Sequence, residues 1–301
     1  MSAVAGNGAA ARPVVGLAWM VLSGLLFVGV NVIVKYVGQT LPPMEAAFLR
    51  YLLGLVFVLP LIPAMLRVPM SGRLFGRFVV RGVAQAGGAL LWFFAMTSIP
   101  IGEVSAMGYM QPVYITLGAV LFLGERIALR RVAAILGAIL GALVVLRPGF
   151  RELEGGHLAM LAVPAIFAAS YLMAKRLAEM TSAEATLGWM SVIVPLFMAP
   201  FAGMVWQAPS LAELGWLLLT AGFATGGHYA MLRAFRVAPI TVTQPATALG
   251  LVWAVSAGAL LFDEPVDAWV VAGGALIIGS VLFIAWREAR LARARPVADL
   301  P

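Results

Sequence analysis

The sequence predicts an all-α integral membrane protein with ten transmembrane helices in two inverted five-helix repeats, and three observations predict it. The first is composition: 62% of the residues are hydrophobic and 11% charged, against about 45–50% and about 25% in soluble domains. So few charges cannot clothe a soluble surface. The second is a series of ten apolar runs, near 14–34, 45–66, 78–97, 101–123, 128–146, 157–174, 185–206, 213–232, 239–262 and 268–286. Each is close to the ~20 residues a helix needs to cross a hydrocarbon core about 30 Å thick. The third is an internal repeat. Gly87-Gly88, Ala95, Pro100-Ile101 and Glu125 recur as Gly226-Gly227, Ala234, Pro239-Ile240 and Glu264 at a constant offset of 139 positions. Phe27 and Lys35 recur as Phe167 and Lys175 at an offset of 140. That unit is far longer than a solenoid or propeller repeat, so it reads as a duplicated half. The expected division is 1–150 for the N-terminal repeat, 151–290 for the inverted C-terminal repeat and 291–301 for a basic cytoplasmic tail.

Charge placement supplies the orientation. The chain has 20 Lys and Arg residues and a net charge of +7. In a soluble protein that balance would suggest a nucleic-acid partner; in a membrane protein its distribution is what matters, and no nucleic-acid partner is expected. With the N-terminus cytoplasmic, sixteen of the twenty fall inside: Arg12, Arg67, Arg73, Arg77, Arg81, Arg126, Arg130, Arg131, Lys175, Arg176, Arg233, Arg236, Arg287, Arg290, Arg293 and Arg295. Only Lys35, Arg50, Arg147 and Arg151 remain, while the outer connectors carry Glu103, Glu152, Glu154, Glu213, Asp263, Glu264 and Asp267. Cations collect on cytoplasmic loops, so both termini are expected inside a bacterial-type inner membrane. Five spans per half is an odd number, so the second half runs in the opposite sense. Glu125 is followed by Arg126, Arg130 and Arg131, but its repeat mate Glu264 by Pro265 and Asp267. The first run has one preceding cation and no small-residue cleavage site, so it is read as a retained span.

Taken in order, the spans offer a sparse set of polar side chains, each costly in hydrocarbon and therefore a functional or helix-linking candidate. Span one holds Asn31 between Phe27 and Lys35, and span two holds Arg50 beside Tyr51. On span three Gln85, Ala89, Trp92 and Met96 share a face, as Ser105, Tyr109, Pro112 and Thr116 do on span four. Span five carries Gly137 and Gly141, the spacing of a small-residue helix contact. Span six places Tyr171 between Phe167 and Lys175. Span eight offers Thr225, His228 and Tyr229; span nine offers Thr243, Gln244, Thr247 and Trp253. Pro112 and Pro245 remove a backbone donor inside spans four and nine and bend them, freeing carbonyls to meet substrate or to hinge. Gly87 and Gly226, with Gly88 and Gly227, serve close packing or flexing.

With these residues in view, the chain resembles the EamA-type branch of the drug/metabolite transporter superfamily, and within it the amino-acid exporters of the YddG type. The carriers of that likeness are Phe27, Asn31 and Lys35, Arg50-Tyr51, Pro100-Ile101 and Gly124-Glu125. Asp263-Glu264-Pro265 departs from the first copy at its repeat position. The resemblance implies a carrier of small metabolites, amino acids foremost, with spans three, four, eight and nine around a central cavity. Multidrug or nucleotide-type metabolites are the alternative cargo. Inverted repeats place the substrate near the midplane and allow two states by exchange of conformations between halves, so export by alternating access is the expected mode.

Two readings of Arg50 stay open: an ion pair with Glu103, or contact with a substrate carboxylate. His228 is read as a proton relay or as a hydrogen-bonded packing residue. No acidic residue is read in the middle of a span, which argues against obligate proton coupling and for facilitated diffusion or weak coupling at the outer face. A membrane enzyme built on metal would need clustered aspartates, and the chain has only Asp263, Asp267 and Asp299. With no cysteine and two histidines, no cofactor or metal is expected. A channel is the nearer rival. The expected partners are a small-molecule substrate and the lipid bilayer; the oligomeric state is not set by the sequence, and a monomer is compatible with it.

Overall fold

In the computed structural model, residues 13–123, 129–150, 152–178, 180–238, 243 and 246–294 are described. Span one is α1 (Pro13–Val37). Span two is composite: α2 (Pro43–Leu53) tightens into a 3₁₀ segment (Gly54–Leu61) that contains Pro60, then closes with α3 (Ile62–Leu66). Span three is α4 (Gly72–Ser98). Span four is broken into α5 (Ile101–Gly108) and α6 (Gln111–Leu123), and span five is α7 (Leu129–Leu146). The second half follows with α8 (Gly155–Ala178), α9 (Ala183–Met204), α10 (Leu211–Val237), α11 (Leu249–Phe262) and α12 (Ala268–Ala294). Among the described residues, every expected apolar run contains helix, six helices are long and apolar enough to cross a membrane, and Val132–Leu146 and Leu249–Phe262 are shorter apolar helices.

Serine caps begin three of the spans: Ser71, Ser182 and Ser210 each accept a backbone N–H three residues on, and Ser210 forms a capping box with Glu213. The orphan donors of a helix start are so satisfied where the chain enters the bilayer. The break in span four has a local cause. Pro112 has no N–H for the carbonyl of Gly108, and the chain passes through Tyr109 and Met110 with tighter bonds, Tyr109 N–H to Ala106 and Met110 N–H to Met107.

Packing obeys an exchange of the two halves. α1 packs on α10, and its repeat image α8 packs on α4; α4 packs on α9 and α10 on α2; α1 packs on α11 and α8 on α6. The pairs α7/α12 and α2/α9 are their own images. Individual side chains repeat the relation. A Cβ at Gly88 would lie 2.6 Å from the Phe167 ring, and one at Gly227 3.2 Å from the Phe27 ring. Each half thus presses its phenylalanine into the glycine of the other, while a Cβ at Gly87 would meet nothing within 4 Å. Gly141 and Gly273 bring the backbones of α7 and α12 together in the same way, the small-residue contact expected for Gly141.

Candidate functional site

The polar side chains sort into mid-span contacts between helices and a cluster at one end. The amide of Asn31 on α1 donates to the Ser105 hydroxyl on α5 at 3.3 Å. At the break in span four the Tyr109 hydroxyl donates to the Thr247 carbonyl at 2.8 Å, tying the two interrupted spans together. Ser170 on α8 donates to Gln85 on α4 at 3.0 Å. Trp92 is partly buried and sits edge-on to Phe93, with ring centres 5.4 Å apart. Trp253 packs against Gly24 of α1. His228 holds the Ala224 carbonyl at 2.7 Å, and the Phe27 ring meets it edge-on at 5.0 Å.

Not every expected residue joins them. Tyr229 lies with Trp19 and Arg233, which stacks over both rings, toward the end rich in arginine. Tyr171 is 57% exposed on the face of α8. Gly226 contacts Leu26 at 3.4 Å. Gln244 and Pro245 lie outside the described residues.

The ion pair expected between Arg50 and Glu103 does not form. Arg50 lies over the Tyr51 ring at 4.4 Å, and its Nε is buried without a hydrogen-bond partner. Glu103 instead meets His157 of α8, Oε2 to Nε2 at 2.7 Å. The physical reason is depth: Glu103 stands in the first turn of α5, and His157 in the first turn of α8, whereas Arg50 sits in the last turn of α2.

At the acidic end three elements are held by charge. Lys35, in the last turn of α1, pairs with Glu264 and donates to the Ile99 carbonyl at 3.0 Å. Glu264 Oε2 accepts the Ile101 N–H at 2.9 Å, so a carboxylate caps the N-terminus of α5, where the helix dipole favours negative charge. The chain at 263–265 is built to aim it. Asp263 adopts a left-handed conformation (φ 53°), the Glu264 N–H closes back onto the Gly258 carbonyl, and Pro265 prevents further helix. Gly258 leaves room for the returning carboxylate. Arg147 pairs with Asp267 beside it. Between these groups lies a cavity of about 350 Å³ lined by Glu103, Glu152, Glu154, His157, Glu264 and Asp267.

Sequence reasoning missed the parts played by four residues, His157, Glu45, Lys35 and Glu264. His157 was weighed only as one of two histidines. Glu45 is fully buried in the first turn of α2, accepting the Gln207 N–H at 2.8 Å. Lys35 and Glu264 were read separately, although a charged residue written twice at repeat-related positions was itself the signal.

Comparison with known proteins decides the family. The family model described as "EamA-like transporter family" matches residues 14–147 and again 154–286. The chain belongs to this family. It is 30% identical to a riboflavin transporter of Rhizobium johnstonii, over 94% of each chain. It is 25% identical to an S-adenosylmethionine uptake transporter of Rickettsia conorii, covering 94% of this chain and 96% of that one. It is 28% identical to a pseudopaline exporter of Pseudomonas aeruginosa, covering 87% and 93%. A solved crystal structure shares the fold with a TM-score of 0.57 at 20% identity, over 92% of this chain and 97% of the other. This EamA-family protein is accordingly a multi-pass membrane transporter of small molecules.

Proposed function

We propose that the protein is an inner-membrane carrier, with both termini cytoplasmic, that moves small ring-bearing metabolites by alternating access, flavins being the leading substrate class. The observation that carries this reading is the 30% identity to a riboflavin transporter along 94% of both chains. The mid-span residues suit such a cargo: Trp92, Tyr109, Phe27 and Trp253 offer faces and edges to a planar ring, and Asn31, Ser105 and Gln85 offer a few orienting hydrogen bonds. Alternating access is supported by packing that maps onto itself when the halves are exchanged.

A second cargo, neutral and aromatic amino acids exported from the cell, is favoured by Arg50. A guanidinium whose Nε is buried without a partner is matched by a carboxylate, which accepts two parallel hydrogen bonds. Riboflavin has no carboxylate, so Arg50 separates the two readings. The test is flux in proteoliposomes with labelled riboflavin, phenylalanine and leucine, each competed by the others. Saturable riboflavin flux unaffected by amino acids supports the flavin reading; saturable amino-acid flux lost in Arg50→Ala supports the second. Non-saturating flux of all three would contradict a carrier and favour a channel.

A further inference from the structure

The acidic-end cavity contains a pair that neither the fold nor the mid-span contacts require. Glu103 and His157 are both buried, with side chains 5% and 3% exposed, yet both line the cavity. Their hydrogen bonds define a protonation state. The Glu154 N–H donates to His157 Nδ1 at 3.0 Å, so that nitrogen is the acceptor and the ring proton sits on Nε2. Nε2 in turn faces Glu103 Oε2 at 2.7 Å and donates to it. The resting pair is therefore a neutral imidazole hydrogen-bonded to a carboxylate. An added proton has two places to go. It can enter the Glu103 carboxyl and leave the hydrogen bond in place. It can also enter Nδ1, which makes His157 a cation and breaks its bond to the Glu154 N–H at the start of α8. Either event adds one positive charge in a poorly solvated site between α5 and α8, where charge interactions are strongest.

We propose that Glu103 and His157 form a proton-binding site of the carrier, loaded through the acidic-end cavity, and that its occupancy sets the transport rate. The inference rests on the carrier reading above. Among the described residues, the charged and titratable groups around the cavity are Glu152 and Glu154 before α8, Glu264 with its partner Lys35 on α1, and Asp267 with its partner Arg147 after α7. Bound into ion pairs, Lys35 and Arg147 leave the cavity acidic, which attracts protons to its mouth. The site also joins moving parts. α5 is the short first segment of the broken span four, and α8 opens the second half. A charge gained at their contact biases how the halves meet.

Two measurements test it, one independent of any substrate. The chain has 2 histidines, so ¹⁵N-histidine NMR of the full-length protein in nanodiscs gives two ring systems, and His228→Gln assigns them. The expected spectrum at alkaline pH shows His157 as the Nε2–H tautomer, and lowering the pH shifts it with a one-proton titration that moves in Glu103→Gln. The second measurement is the pH profile of saturable flux in proteoliposomes, using riboflavin or phenylalanine as probe. Glu103→Gln and His157→Gln should each flatten that profile, whatever their absolute rates, with a monodisperse elution peak certifying the fold. A pH-invariant His157 spectrum, or an unchanged profile in both folded variants, overturns the proposal. Absence of flux for every probe refutes the substrate reading and leaves the NMR result to decide this one.

Discussion

The acidic end and the mid-span residues use polar groups in opposite ways. At the end, Lys35 meets Glu264 and Arg147 meets Asp267, so that charge is matched by charge across helix termini, and His157 hydrogen-bonds Glu103. At mid-span, Asn31, Tyr109 and His228 meet a hydroxyl or a backbone carbonyl, and Arg50, like Arg81, Arg147 and Arg287, keeps a buried nitrogen without a hydrogen-bond partner. The end holds elements together, and on the proposed function the mid-span groups are the ones that meet substrate. The difference teaches that cost marks closure and function differently. A charge at depth is expensive and marks a functional candidate by default.

The comparison breaks most visibly at Lys35. The two side chains of its pair are 15% and 10% exposed, and removing one partner of a buried pair costs about 3–5 kcal/mol because the other charge is left uncompensated. Lys35→Met should therefore lower the melting temperature strongly, as read by thermal unfolding in detergent. The double variant Lys35→Met with Glu264→Gln should recover much of the loss; an equal or greater loss would mean the pair itself supplies the stability.

A smaller effect is expected between neighbouring glycines. Gly88→Ala drives a methyl into Phe167 and should cost about 1–3 kcal/mol, the usual penalty of overpacking. Gly87→Ala points into open space and should leave the melting temperature unchanged. Equal effects would refute the reciprocal glycine–phenylalanine packing of the halves.

Smaller still is Tyr109→Phe, which removes one hydrogen bond, worth ~1 kcal/mol, at the joint between the broken spans. The least effect on stability belongs to Arg50→Ala, since no ion pair is lost; its effect is expected in flux of a carboxylate substrate. A large drop in melting temperature for Arg50→Ala would give that residue a structural role.

The sequence made the helices legible because composition and run length act locally, and the repeat gave the relation between halves. Pro112 likewise announced the break at Tyr109 and Met110. Partners at the helix ends were another matter. Arg50 and Glu103 fall toward the same side in the sequence reading, but depth in the membrane separates them, and depth depends on how α2, α5 and α8 are staggered. His157 becomes Glu103's partner only once α8 starts beside α5. Glu45 escaped notice because it opens an apolar run, a place where a carboxylate looks like the edge of a loop, yet the fold buries it under Gln207. Tyr229, offered by span eight beside His228, points instead to Trp19 and Arg233, since neighbouring residues on a helix face different ways.

The most direct test of alternating access is a pair of distances. The chain contains no cysteine, so spin labels can be placed at will: Gln39→Cys with Val266→Cys at the acidic end, and Met70→Cys with Met180→Cys at the other. Pulsed electron resonance on the reconstituted protein, with and without a substrate that shows saturable flux, should find the two distances shifting in opposite senses, one end opening as the other closes. Both distances holding still, or both shifting in the same sense, while flux remains saturable would contradict the account.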